Sequence, residues 1–269
     1  MLKTKLPNLF LDFGERPPFG KTFEEINSDT QFAYQIACKY CPNKTVLDYG
    51  CGTGHGTEYL SRFTTKQTIG YDISQSTINY ASTFFAKPNL SFVIVLPPQK
   101  FDLIISFQVV EHIKKADLDK YFQNITSHLN PNGVFILATP NKNITSYKLK
   151  TPVFAYHTME YSPATLHSLL STFFKKVTIN GQIDLPTQAK VKNKQFSYKN
   201  MSAFTFKHKL IRYISQIKPF RFIYGHIPQD IKNLILGQTK RITTPQTLVT
   251  KKLFIANSYN LIAICQNPN

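Results

Sequence analysis

Thr45-Val46-Leu47-Asp48-Tyr49-Gly50-Cys51-Gly52-Thr53-Gly54-His55-Gly56-Thr57-Glu58-Tyr59-Leu60 is the stretch from which the rest of the chain is read. Its first three residues form a short β-favouring run, the pattern of a strand buried in a parallel sheet. Asp48 closes that strand. Gly50, Gly52 and Gly54 then let the backbone turn sharply with nothing projecting above the sheet edge. A helix can begin near Gly54 and His55, with Glu58 in the first turn, where the helix dipole favours an acid. Tyr59 and Leu60 would face the core. Strand, glycine turn and helix together make a cradle for a nucleotide-like ligand at the carboxyl edge of a sheet.

The spacing of the glycines narrows the ligand. A dinucleotide fingerprint would need glycine at His55 or Thr57, and a Walker loop would need a lysine well before Lys66. Neither is present. Thr68-Ile69-Gly70-Tyr71-Asp72-Ile73 reads as a second strand with an acid at its tip, and such an acid can accept both hydroxyls of a ribose. A glycine loop with a ribose acid and no phosphate signature suits a nucleoside that lacks phosphates. S-adenosylmethionine is the common one.

Four blocks in order carry a family resemblance. Val46 to Gly54 and Gly70 to Ser74 are similar to the first two motifs of class I S-adenosylmethionine-dependent methyltransferases, in the branch called methyltransferase type 11. Phe101 to Ile113 (FDLIISFQVVEHI) resembles the fourth-strand block of that branch, and Leu129 to Asn141 (LNPNGVFILATPN) its fifth-strand block. The likeness runs from about Gly14 to about Gln182 and resumes at the last strand. A narrower likeness, in Gly14-Glu15-Arg16 and in His157 to Ser162, is to a subgroup tied to cell-surface polysaccharide or lipid biosynthesis.

The alternation of segments agrees with one α/β domain over residues 1–269, a Rossmann-like doubly wound sheet of seven strands with the last antiparallel. A lead segment and helix occupy 1–44, and the cofactor-binding core 45–182. A basic, partly helical insertion fills 183–257, with helices expected around 205–217 and 228–236. The last core strand is 258–266. Leu118, Tyr121, Phe122, Ile125 and Leu129 make one apolar helical stripe. Ser162-Pro163 reads as the cap and first residue of a further helix.

Composition sets outer bounds. No run of eighteen apolar residues occurs, so a cytoplasmic setting is expected, with peripheral membrane attachment left open. The four cysteines give no disulfide framework, and Cys38 and Cys41 have zinc-like spacing without a matching second pair. Net charge is +17 and unevenly spread. Residues 1–140 carry thirteen Lys/Arg against twelve Asp/Glu, whereas 141–269 carry nineteen against three. Such asymmetry points to an anionic partner, an anionic membrane surface or RNA, or else to lysine-painted solvated faces. No stable protein partner is expected.

The resemblance implies roles for particular residues. Asp48, Gly50, Cys51, Gly52 and Gly54 would hold the methionine end of S-adenosylmethionine, Asp72 the ribose, and Ile73 the adenine. Phe107 and Gln108, at the end of the fourth strand, would lie beneath the sulfonium. The acid that usually ends the third strand and meets the adenine amine is missing from Ser91 to Pro98. Methyl transfer needs alignment, exclusion of water and removal of the nucleophile's proton. For that base the candidates are Glu111, His112 and His157. Arg16, Glu160 and Tyr161 are candidates for the acceptor site, although His157 and Glu160 could equally clamp their loop. Relatives with a glutamate three residues before Glu111 can use it to help hold a metal. Gln108 stands there, and no metal site is expected.

The expected reaction is O-methylation of a small molecule, glycan or lipid-linked acceptor. RNA or protein methylation is the rival within enzymes, and a non-catalytic binding protein the rival outside them. No Asn/Asp-Pro-Pro-Tyr/Phe tetrad follows the fourth strand, which argues against nucleobase methylation.

Overall fold

A computed structural model describes residues 22–26, 28–146, 149–152, 154, 156–184, 188, 246–251, 255 and 258–269. Arg16, the expected insertion helices and most of the basic segment lie outside the described residues. The chain divides into two compact units, Met1–Pro98 and Gln99–Asn269.

In the first unit, β1 (Val46–Tyr49) runs parallel to β2 (Thr68–Tyr71), which runs parallel to β3 (Leu90–Val93). All of β1 is buried, as its apolar composition requires. The helices are α1 (Ser28–Cys38), α2 (His55–Ser61) and α3 (Gln75–Phe85). The inner face of α3 places Ile78 and Ala81 against Leu90 and Phe92. Parallel strands joined by helices bring the loops after β1 and β2 to the same edge of this sheet, where open α/β folds hold their ligands.

In the second unit, β4 (Phe101–Phe107) runs parallel to β5 (Leu129–Pro140). The last strand, β8 (Asn260–Pro268), is antiparallel to β5 and to β6 (Phe174–Asp184). The expected apolar stripe is the inner face of α4 (Leu118–His128), where Leu118, Tyr121, Phe122 and Ile125 are buried. A short α5 (Lys142–Thr145) follows β5, with the Asn141 side chain accepting from the Asn143 amide. Next comes α6 (Pro163–Ser171), which starts as its sequence requires. Ser162 Oγ accepts from the Thr165 amide at 3.2 Å, and Thr165 Oγ1 accepts from the Ser162 amide at 2.8 Å.

One expectation changes. An eighth strand, β7 (Gln246–Val249), pairs antiparallel with Gly181–Asp184, so the seven-strand count was one short among the described residues. Residues 246–249 read Gln-Thr-Leu-Val, with no polar–apolar alternation to mark a strand, and fell within the insertion read as partly helical. Pro131-Asn132-Gly133 lies inside β5 at a register shift between the pairs Phe101–Leu129 and Leu103–Val134. His112 lies in a 3₁₀ turn beyond β4, Val110–His112. No helix among the described residues is long and apolar enough to cross a membrane.

Candidate functional site

The first unit carries the glycine cradle. Gly50, Gly52 and Gly54 have φ of 88°, 54° and 85°, the left-handed region that side chains disfavour. The amides of Gly50 and Cys51 both donate to the Tyr71 carbonyl, at 2.7 and 3.0 Å, tying the tip of β1 to that of β2. A Cβ on Gly52 would meet nothing within 4 Å, so the loop leaves open space there. A Cβ on Gly54 would come within 2.8 Å of Ala81 and Phe92. Gly52 faces a void and Gly54 faces the core. The Cys51 side chain packs with Ile78, Ala81, Leu90 and Phe92, and its Sγ donates to the Gly52 carbonyl at 3.7 Å, so it braces the loop from the core side.

Asp48 is fully buried at the end of β1. Its Oδ2 accepts from the Tyr34 hydroxyl at 2.9 Å and the Thr57 hydroxyl at 2.6 Å. Its Oδ1 has no partner. Burial pushes this carboxyl up to about 7, against the two hydroxyl bonds that favour its charged form. Tyr34 reaches Asp48 because Gly56 has no side chain: a Cβ there would sit 1.9 Å from the Tyr34 ring. Tyr34, Gly56 and Thr57 were not among the expected site residues. Their signal was an isolated glycine in a helical stretch, which marks a close approach.

Asp72 is buried, and each carboxylate oxygen already serves the backbone. Oδ2 accepts from the Gly52 amide and Oδ1 from the Ser74 amide, both at 2.9 Å. These two backbone bonds fix the orientation in which Asp72 presents its carboxylate at the strand tip. Ile73 is 80% exposed, and Ile94 and Val95 beyond β3 are exposed at 42% and 73%. Tyr71 and Val93 are partners in the β2–β3 register, so these apolar side chains follow adjacent strand ends. They offer an apolar surface for a base where the third-strand acid is missing.

An S-adenosylmethionine-type ligand fits these residues on three observations. A buried carboxylate oxygen lacks a partner, the glycine turn faces open space, and an apolar residue follows the ribose acid into solvent.

The second unit gathers the expected base candidates. Phe107 is buried at the end of β4, and Gln108 follows at φ 57°, its amide bonded to the Ala138 carbonyl at 2.8 Å. Glu111 is fully buried. Its Oε2 accepts from Thr139 Oγ1 at 2.9 Å, and its Oε1 has no partner. Burial raises this carboxyl to about 7, opposed by the charges of His112 and His157 and the Thr139 bond. The loop after β5 is laced onto this turn: the Thr158 and Met159 amides donate to the Glu111 carbonyl at 2.8 and 3.2 Å. Thr158 Oγ1 donates to the Ile113 carbonyl at 2.6 Å, and His112 Nδ1 meets the Tyr156 carbonyl at 3.1 Å.

That lacing brings the rings of His112 and His157 edge to face, 5.1 Å between centroids. His157 Nδ1 lies 2.7 Å from Glu160 Oε1, and Thr145 Oγ1 donates to Glu160 Oε2 at 2.6 Å. Glu160, expected to touch substrate, is buried and holds His157 instead. Tyr161, expected likewise, is 4% exposed, and its hydroxyl has no partner. Burial and the Glu111 charge push that hydroxyl far above its ordinary value.

The fold and the glycine cradle define a Rossmann-like α/β protein of the class I S-adenosylmethionine-dependent methyltransferase type. Residues 23–197, more than half of the chain, match the family model described as a methyltransferase domain, and the chain belongs to that family. It is similar to a probable S-adenosylmethionine-dependent methyltransferase of Mycolicibacterium smegmatis, 29% identical over 146 residues, 53% of this chain and 56% of that protein. It is also similar to a ubiquinone biosynthesis O-methyltransferase of Bradyrhizobium diazoefficiens, 33% identical over 129 residues, 45% and 49% of the two chains. The chain thus spans about half the length of the curated relatives it matches. Among solved structures, the cyclase SpnF has a TM-score of 0.52 at 14% identity, covering 88% of this chain and 81% of SpnF. That likeness is one of fold, and fold does not fix a reaction.

Proposed function

We propose that the chain transfers a methyl group from S-adenosylmethionine to an oxygen of a small molecule, glycan or lipid-linked acceptor. The observation that carries this reading is a donor cradle joined, in one chain, to a buried histidine–carboxylate group suited to a hydroxyl proton. The O-methyltransferase relative supports oxygen as the acceptor atom, over half its length.

In this reading Asp48 Oδ1 accepts from the donor's ammonium, and the turn around Gly52 passes beneath its chain. Asp72 takes the ribose, and Ile73 covers the adenine. When bound, S-adenosylmethionine supplies a methyl group already activated by its sulfonium. The chain's own residues must orient the acceptor, exclude water and remove a proton. His157 suits proton removal: Glu160 fixes its Nδ1 and stabilises a charged ring, so Nε2 takes the proton. Thr145 in turn holds Glu160. The positive charge of residues 141–269 favours acceptors that carry phosphate or another anionic group.

The test is incubation of the purified chain with methyl-labelled S-adenosylmethionine and a panel of phenols, glycosides, lipid-linked sugars and RNA. Ether formation on a hydroxyl compound is the expected product, identified by mass spectrometry. Label found in RNA or protein alone would replace this reading with its rival.

A further inference from the structure

Tyr34 reaches from α1 to the carboxylate that ends β1, and the fold gives up local stability to let it do so. Its hydroxyl donates to Asp48 Oδ2 at 2.9 Å, beside the 2.6 Å bond from the Thr57 hydroxyl. The approach depends on Gly56, since a Cβ there would stand 1.9 Å from the Tyr34 ring. Glycine is disfavoured inside a helix, so α2 is weakened at the point where this ring must pass.

Two observations give that contact a purpose beyond packing. The first is the asymmetry of the carboxylate. Oδ2 takes both hydroxyl bonds, while Oδ1 has no partner although Asp48 is fully buried. A bare buried oxygen is disfavoured until a donor or a cation meets it. The second is charge. Asp72 is buried as well, and its negative charge acts on Asp48. Two buried carboxylates that repel one another are relieved by a cationic ligand. The groups acting on Asp48 come from several elements: Tyr34 on α1, Cys51 in the glycine loop, Thr57 on α2 and Asp72 after β2. Burial, with the two carboxylates adding to it, pushes the Tyr34 hydroxyl and the Cys51 thiol well above their ordinary values. Both therefore stay protonated near neutrality, and Tyr34 stays a donor.

We infer that Tyr34, together with Thr57, is a positioning residue for the methyl donor: the two hydroxyls pin Asp48 Oδ2 and favour the charged carboxylate, which leaves Oδ1 to the donor's ammonium. The inference rests on the reading of Asp48 as the partner of that ammonium. Both hydroxyls act through Asp48. Removing either one withdraws a hydrogen bond from the charged form, so the carboxyl keeps its proton to higher pH. A protonated Asp48 no longer attracts the ammonium. Donor binding therefore weakens as pH falls through the range in which Asp48 titrates, which burial places at about 7. An α-amino group loses its own proton near about 8, so binding is strongest between the two.

The test is calorimetric titration of the full chain with two probes across pH. One is S-adenosylmethionine; the other is methylthioadenosine, which has the nucleoside but no amino-acid chain and so no ammonium. For the wild type, S-adenosylmethionine affinity should fall at least about tenfold from about pH 7.5 to about pH 5.5, while methylthioadenosine affinity stays level. Tyr34→Phe keeps the ring that packs against Phe23. It should weaken S-adenosylmethionine about fivefold or more at about pH 7, the effect of a one-unit rise of the Asp48 carboxyl, and move the midpoint of the pH profile upward. Methylthioadenosine binding should be unchanged in this variant. Thr57→Val should act in the same direction. A level wild-type profile for S-adenosylmethionine overturns the inference without a variant having to fold. So does a Tyr34→Phe that weakens neither probe, or weakens both alike, which is the mark of a merely structural role. S-adenosylmethionine binding that ignores pH and Tyr34→Phe removes this inference and leaves the donor reading standing; no binding to the folded wild type removes both.

Discussion

Gly56→Ala tests the packing behind the donor cradle. Gly56 is inside α2, where alanine is favoured over glycine by about 1 kcal/mol on propensity alone, so a local rule expects a stabilised protein. The structure expects the opposite. The new Cβ would stand 1.9–2.3 Å from three atoms of the Tyr34 ring, and Tyr34 is 5% exposed with Phe23 packed against it. The ring must therefore shift, at an overpacking cost of about 1–3 kcal/mol. Displacing the hydroxyl also breaks its bond to Asp48, and a hydrogen bond to a charged group contributes about 1.5–3 kcal/mol. Set against the propensity gain of about 1 kcal/mol, the net loss is about 1.5–5 kcal/mol. Urea denaturation of wild type, Gly56→Ala, Tyr34→Ala and the double variant measures it. In the Tyr34→Ala background, Gly56→Ala should become neutral or stabilising, because the obstructing ring is gone. A stabilised Gly56→Ala in the wild-type background would refute the reasoning.

Two further outcomes separate stability from binding. Gly52→Ala should cost about 1–2 kcal/mol of stability from its left-handed φ alone, since nothing lies within 4 Å of the new methyl. It should weaken S-adenosylmethionine binding more than tenfold, read by calorimetry. The pH dependence of stability follows from Asp48 and Glu111, whose carboxyls rise from 3.8 and 4.5 to about 7 on folding. The folded state then binds more protons than the unfolded state between about pH 4 and 7, so stability falls as pH rises through that window. Each carboxyl accounts for a loss on the order of 3 kcal/mol. Glu111→Gln should flatten the fall measured by denaturation, and an unchanged slope would show that Glu111 does not titrate there.

The donor cradle was legible because its signals are local. Glycines that must adopt positive φ directly follow a strand too apolar to be exposed, and the acid comes 18 residues past Gly54 at the tip of the next strand. The partners of Asp48 were hidden because they come from elsewhere. Tyr34 lies on a preceding helix and Thr57 on the helix after the loop, and only the odd helical glycine at 56 hinted at the approach. The Glu111, His112 and His157 group was half legible. Each residue was singled out as a candidate base, but the lacing of residues 156–159 onto 111–113 is a tertiary fact with no local pattern. The roles of Glu160 and Tyr161 moved inward for the same reason: their burial depends on packing after β5, which spacing does not report.

Calorimetric titration of S-adenosylmethionine into the purified chain tests the central claim most directly, that the glycine cradle with Asp48 and Asp72 holds this donor. Saturable one-to-one binding is predicted, weakened by at least about 1.4 kcal/mol, a factor of ten, in Asp72→Ala. No binding at millimolar donor to a chain shown to be folded would contradict it.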